Sequence, residues 1–156
     1  MPSPMIGKLI SFGIWWKKEV NHIMSVICYL NFDENAREAL SFYQQVFQTK
    51  DPQILTYGEY KDDPNYQVPE QIKHLIMHAE MEIFGSKVMF SDTPRGFDFH
   101  FTQGNNVSIT VLSNDKDKMK ASWDLLKEGG KVITDLSEQP FVSYYGYLVD
   151  RLGVYW

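Results

Sequence analysis

The stretch from Val26 to Phe47 constrains the fold more than any other, because it combines two different hydrophobic periods across a few polar residues. From Val26 to Phe32 the chain alternates. Cys28, Leu30 and Phe32 fall on one side, and Ile27, Tyr29 and Asn31 on the other, as in a strand with one packed and one partly wet face. Asn35 follows as a helix N-cap, with Glu38 three residues on in a near relative of the capping box. Ala36, Ala39, Leu40, Tyr43, Val46 and Phe47 then share one helical stripe, opposite Arg37, Glu38, Ser41, Gln44 and Gln45. A strand feeding an amphipathic helix needs a sheet to cover.

The same pattern returns in the second half. Asn106–Leu112 alternates again, Ser113, Asn114 and Asp115 offer caps, and Met119, Trp123 and Leu126 mark a second apolar stripe. Cys28, Leu30 and Phe32 align with Val107, Ile109 and Val111 at an offset of 79, and Tyr43 and Val46 with Trp123 and Leu126 at an offset of 80, the slip falling in the turn. A half-chain period points to two copies of one supersecondary unit, neither able to close a core alone.

Between and after these units the chain alternates strands with turns. Ile54–Tyr57 is a short strand, Gly58–Gln71 a long loop, and Ile72–Ile83 and Lys87–Ser91 two strands joined at Phe84-Gly85-Ser86. Asp92–Asn105 is a second long loop, with Phe97, Phe99 and Phe101 alternating. After Gly129-Gly130, a helix C-cap, come a strand at Lys131–Leu136 and a final hairpin of Tyr144–Val149 with Val154–Trp156. Each half is therefore a strand, a helix and three strands.

At 156 residues the chain is expected to form one domain with a sizeable core. Its boundaries are expected at residues 24–156, as two modules of about 24–92 and 105–156, behind an N-terminal extension of residues 1–23 that is helical or disordered. That extension is too short and too interrupted, by Lys8, to span a bilayer, and its charges follow its apolar run, unlike a signal peptide. Met24 is a second candidate start. A net charge of −5 without a basic stripe argues against a nucleic-acid partner. The single cysteine, Cys28, cannot form an internal disulfide and falls on the apolar face, so it reads as a buried structural thiol compatible with the cytoplasm. Aromatic residues, at 15%, exceed what a core of this size needs, which favours a pocket or an interface lined by some of them.

Particular residues within this arrangement carry a family likeness. They are Tyr29-Leu30-Asn31-Phe32-Asp33 with Asn35-Ala36, Ala39-Leu40, Phe42-Tyr43 and Val46-Phe47; Met77-His78-Ala79-Glu80 before Gly85-Ser86 and Ser91-Asp92; Gly104-Asn105-Asn106-Val107-Ser108; Glu128-Gly129-Gly130-Lys131-Val132; and Phe141, Gly146, Asp150, Gly153-Val154 and Trp156. Together they resemble the vicinal oxygen chelate superfamily, which includes glyoxalase, bleomycin-resistance proteins and extradiol dioxygenases, and within it the PhnB-like branch. The resemblance implies an α+β fold of two βαβββ modules forming a curved, cup-like mixed sheet, and a homodimer.

It also implies where metal ligands of the metal-using relatives would sit: Ile27, Met89, Asn106 and a position at or just past Trp156. None of the matched residues is a His or carboxylate, so the inherited metal site is expected to be missing and no cofactor is expected, with a divalent metal as the alternative. His78, Glu80 and Glu82 share one strand face about 6.5–7 Å apart, too far for one strand to wrap an ion. The simpler reading has Glu82 solvated while His78 and Glu80 hydrogen-bond within the cup. By the same parity Tyr29, Asn31, His78, Glu80, Met89, Ser91, Ser108 and Thr110 line a small-molecule pocket.

The expected function is therefore binding of a small organic molecule, without a residue pattern that specifies an activity. The alternatives are a metal-dependent lyase, isomerase or dioxygenase of the same superfamily and an aromatic-drug-sequestering resistance protein. Proteins of this branch are also labelled demethylubiquinone methyltransferases. The residues give that label no support: the turn after the first strand is Asp33-Glu34-Asn35, where a methyl-donor nucleotide site of the usual α/β kind needs glycines. A Gly-x-Ser-x-Gly nucleophile motif is absent too.

Overall fold

The computed structural model describes residues 26–60, 67–97, 100–140 and 142–156. The expected extension at residues 1–23, together with Phe99 and Phe141, lies outside the described residues. Among the described residues the fold is mixed α+β with two α-helices, and the chain forms two compact units.

The first unit takes residues up to Ala36 with Gln53–Glu80 and Lys87–Phe101. It carries most of a four-stranded sheet built from β1 (Cys28–Phe32), β2 (Gln53–Thr56), β3 (Ile76–Ile83) and β4 (Ser86–Asp92) in the order β1-β4-β3-β2. β1 runs parallel to β4 and β2 antiparallel to β3, so the sheet is mixed. The alternation expected of β1 is present: Cys28 and Leu30 are half-buried and Phe32 buried, while Tyr29 and Asn31 are exposed. Phe32 stacks on Phe90 of β4 with ring centroids 6.3 Å apart. β3 and β4 are joined by a tight turn with φ 48° at Phe84 and 81° at Gly85, both positive, as a two-residue hairpin whose twist matches its strands requires.

β3 begins at Ile76 rather than at Ile72, as the sequence suggests, because residues Glu70–Ile72 close into a single 3-10 turn. The long loop around it has a small core of its own, Tyr57, Ile72, Leu75 and Met77, with Phe97 of the second loop packed against them. The Tyr57 and Gly58 amides donate to the carbonyls of Leu75 and Lys73 at 3.0 and 2.9 Å, which ties both ends of the loop together.

The second unit takes Arg37–Pro52, Met81–Ser86 and Thr102–Trp156. It contains nearly all of α1 (Ala36–Phe47), together with α2 (Lys116–Leu126), β5 (Lys131–Gln139) and β6 (Val142–Val149). The α1 stripe is buried as its period demands, and Arg37, Glu38, Ser41 and Gln45 face outward. α2 starts on Asp115, whose carboxylate accepts from the Lys118 amide at 3.0 Å, and the Ser113 hydroxyl accepts from the Asp115 amide.

The chain end forms the expected hairpin. Leu148 and Trp156 exchange backbone hydrogen bonds of 3.1 and 2.9 Å, and Val149 bridges Tyr155. The Ile109 amide donates to the Tyr155 carbonyl at 2.8 Å, so the stretch around residue 109, residues 154–156, β6 and β5 stand in the same order as β1, β4, β3 and β2.

One expected element does not form: residues 107–112 make no strand, and Val107 and Leu112 are 70% and 84% exposed. A strand is stabilised by the ladder beside it, and residues 154–156 offer only a few backbone groups, where β4 offers β1 a full-length partner. Among the described residues no helix is long and apolar enough to cross a membrane.

Candidate functional site

Cross-strand register in the first unit collects polar side chains on one face of the sheet. β1 and β4 pair Tyr29 with Met89 and Asn31 with Ser91, and pleating then puts Lys87 on the same face as Met89 and Ser91. On β3, His78 and Glu80 occupy alternate positions, each half-buried, opposite Leu55 and Gln53 of β2. Because β4 lies between β1 and β3, Tyr29 reaches across the Met89 row to His78.

These groups form one chain of hydrogen bonds. The Tyr29 hydroxyl is 3.0 Å from His78 Nδ1, His78 Nε2 is 3.3 Å from Glu80 Oε1, and Lys87 Nζ is 2.6 Å from Glu80 Oε2. The Tyr29 and His78 rings lie 5.8 Å apart at a tilt of 49°. Beside them, the Ser91 hydroxyl donates to Asn31 Oδ1 at 2.9 Å.

The electrostatics follow from this pairing. Burial works to raise the Glu80 carboxyl, but hydrogen bonds from Lys87 and His78, with the Lys87 charge, outweigh it and hold the group below the ordinary carboxylate range. Partial burial pushes the Tyr29 phenol up, against the nearby Ser91 hydroxyl and helped by the Glu80 charge, so the phenol stays protonated. Burial also raises the Cys28 thiol, which disfavours a thiolate nucleophile there.

Of the residues expected in a pocket, Tyr29, Asn31, His78, Glu80, Met89 and Ser91 share this face. Ser108 and Thr110 belong to the other unit, exposed on the stretch that forms no strand, and the cluster is built without them. Glu82 and His100 are exposed. Lys87 is the member that the sequence reading left out, although its spacing of two from Met89 and four from Ser91 places all three on one face.

Ile27, Met89 and Asn106, where the resemblance would put metal ligands, carry an alkyl side chain, a thioether and a neutral amide, which do not suit a hard divalent ion. Trp156, at or just before the fourth of these expected positions, spends its indole N–H on Asp150 at 2.8 Å. Among the described residues no group of three or more His, Cys, Asp or Glu side chains is placed to hold a metal ion. His78 and Glu80 are paired with each other and with Tyr29 and Lys87.

In the second unit a shallow cleft of about 480 Å³ is lined by Gln103, Gly104, Asn105, Val149, Gly153 and Tyr155. The Gln103 side chain lies over Gly153, whose φ is 82°, and donates to the Leu152 carbonyl at 3.0 Å.

Comparison with known proteins gives a consistent set of relatives. The family described as 3-demethylubiquinone-9 3-methyltransferase matches residues 24–156. Protein YjdN of Escherichia coli strain K12 is 25% identical over 135 residues, covering 82% of this chain and 89% of its own. Among solved structures, protein PA1353 from Pseudomonas aeruginosa superposes with a TM-score of 0.67 at 28% identity, covering 86% of this chain and 95% of that one. A PhnB protein from Bacillus cereus gives a TM-score of 0.62 at 24% identity, covering 85% and 96%.

Proposed function

The chain belongs to the PhnB-like family described as 3-demethylubiquinone-9 3-methyltransferase, and from that premise we propose that it binds a small organic molecule on the polar face of its first sheet. The observation that carries this reading is the Tyr29–His78–Glu80–Lys87 chain. Four polar side chains from three strands are drawn into one network around the thioether of Met89, on a face where the solvent-facing side of a sheet needs no such network. The methyl transfer in the family's description is not carried over. The turn after β1 presents Asp33 and Glu34, with the Arg95 guanidinium 2.7 Å from Asp33, and an acidic turn of this kind does not cradle a nucleotide phosphate.

The test is a titration followed by amide NMR, with phenylpyruvate and acetylacetone as probes. Saturable shifts at Tyr29, His78, Glu80 and Ser91 that are lost in His78→Ala support the reading. Shifts confined to residues outside this face refute it. Stoichiometric retention of a divalent ion that raises Tm would instead favour the metal-dependent lyase, isomerase or dioxygenase of the superfamily. We further propose a homodimer, on the resemblance alone; sedimentation at micromolar concentration is expected to give twice the chain mass, and a monomer there refutes it.

A further inference from the structure

The hydrogen-bond polarity of the same face can be assigned. The Glu80 carboxylate only accepts, so the imidazole nitrogen facing it, Nε2 of His78, carries the proton. In the Nε2–H tautomer that this order requires, Nδ1 is an acceptor for the Tyr29 hydroxyl over 3.0 Å. The order runs from a hydroxyl, through the base that takes its proton, to the carboxylate that orients the base, which is the arrangement of a generalised catalytic triad. Its outer end is accessible: Tyr29 is 43% exposed, whereas the side chains of His78 and Glu80 are 22% and 16% exposed.

The surroundings narrow the substrate. Asn31 accepts from Ser91 through Oδ1, which leaves the amide NH₂ as the end that can donate. It sits on the same face of β1 as Tyr29, about 6.5–7 Å along the strand, and the Met89 thioether adjoins Tyr29 on β4. A donor for an oxygen, an acceptor for a proton and an apolar patch beside them match a small carbonyl compound with an acidic hydrogen on the neighbouring carbon.

Resting on the reading that this face binds a small molecule, we propose that Tyr29, His78 and Glu80 form a metal-free proton-transfer triad for an enolisable carbonyl compound, with Tyr29 as the catalytic residue. The Tyr29 oxygen takes the α-proton of the substrate while its own proton passes to His78 Nδ1. The C–H electron pair becomes the new C=C bond, and the carbonyl π pair moves onto oxygen, where Asn31 donates to it. Glu80 faces the imidazolium that results and acts as a positioning residue. Return of the proton from His78 through Tyr29 to the enolate oxygen or to carbon completes a keto–enol tautomerisation. Nothing is oxidised or reduced.

The experiment follows exchange of the α-hydrogens of phenylpyruvate and acetylacetone in deuterated buffer by proton NMR, with the full chain present. Wild-type protein is expected to exceed the buffer rate by about a hundredfold. Tyr29→Phe is expected to return to background while keeping the amide spectrum of the wild type. Glu80→Gln is expected to slow exchange at saturating probe and to alter the ¹⁵N tautomer signature of His78, which a merely structural role would not move. Probe-induced shifts at Tyr29 and His78 without exchange above buffer, or exchange undiminished in Tyr29→Phe, overturn the triad and leave the binding reading standing. Neither shifts nor exchange with either probe takes down both.

Discussion

Two buried or half-buried carboxylates show how single residues carry this structure. Asp150, 3% exposed, accepts from the Tyr43 hydroxyl at 2.7 Å, the Trp156 indole at 2.8 Å and the amides of Leu152 and Val154 at 2.9 and 3.0 Å. Removing it strands several buried donors, so Asp150→Ala is expected to cost about 3 kcal/mol or more in urea unfolding, and Tyr43→Phe about 1 kcal/mol. Glu80 gives a pH signature. Its folded carboxyl lies below its ordinary range, so its stabilisation is complete above that range and is lost as pH falls through the depressed value. Between pH 7 and pH 3 the wild type is therefore expected to lose more unfolding free energy than Glu80→Gln; an equal loss would show that the pairing with Lys87 and His78 stabilises nothing. The pairing of His78 with Glu80 was legible from a spacing of two on one strand. Tyr29 as their partner was legible only as a member of the same face, because which side chain crosses a neighbouring strand depends on register, which sequence alone does not state.

At the scale of elements, periodicity was a sufficient guide where an element's neighbours are local. α1 buries every position of its apolar stripe, and the start of α2 uses the caps that Ser113 and Asp115 offered. It was insufficient at residues 107–112, whose alternation matches that of β1 but whose partner is too short to hold a ladder. Two glycines separate backbone from packing requirements. Gly85 has φ 81° with nothing within 4 Å of an added Cβ, so Gly85→Ala is expected to cost only the left-handed backbone penalty, about 1–2 kcal/mol. Gly146 sits against the Trp123 ring, where an added Cβ would lie 2.6 Å from Cζ3. Gly146→Ala is expected to cost about 1–3 kcal/mol through overpacking, with thermal unfolding as the measurement. Trp123→Leu in the same chain is expected to recover part of that loss, whereas it would do nothing for Gly85→Ala.

For the molecule as a whole, the repeated strand–helix pattern conveyed the fold class, while contacts between distant positions stayed hidden. The sharpest case is the start of α1. Asn35 and Glu38 offer a local cap, and beyond anything a local pattern states, the Ala36 amide donates to Asp92, 56 residues further on, at 2.7 Å, while the other oxygen of that carboxylate takes the Ile76 amide at 2.7 Å. One buried side chain thus fastens the first turn of the helix and the first residue of β3 to the last residue of β4. The first amide of the helix is consequently satisfied only after a long chain closure, a non-local step of the kind that slows folding. In native-state deuterium labelling the Ala36 and Ile76 amides should open together as one cooperative unit and not fray separately, and Asp92→Ala should release both at once.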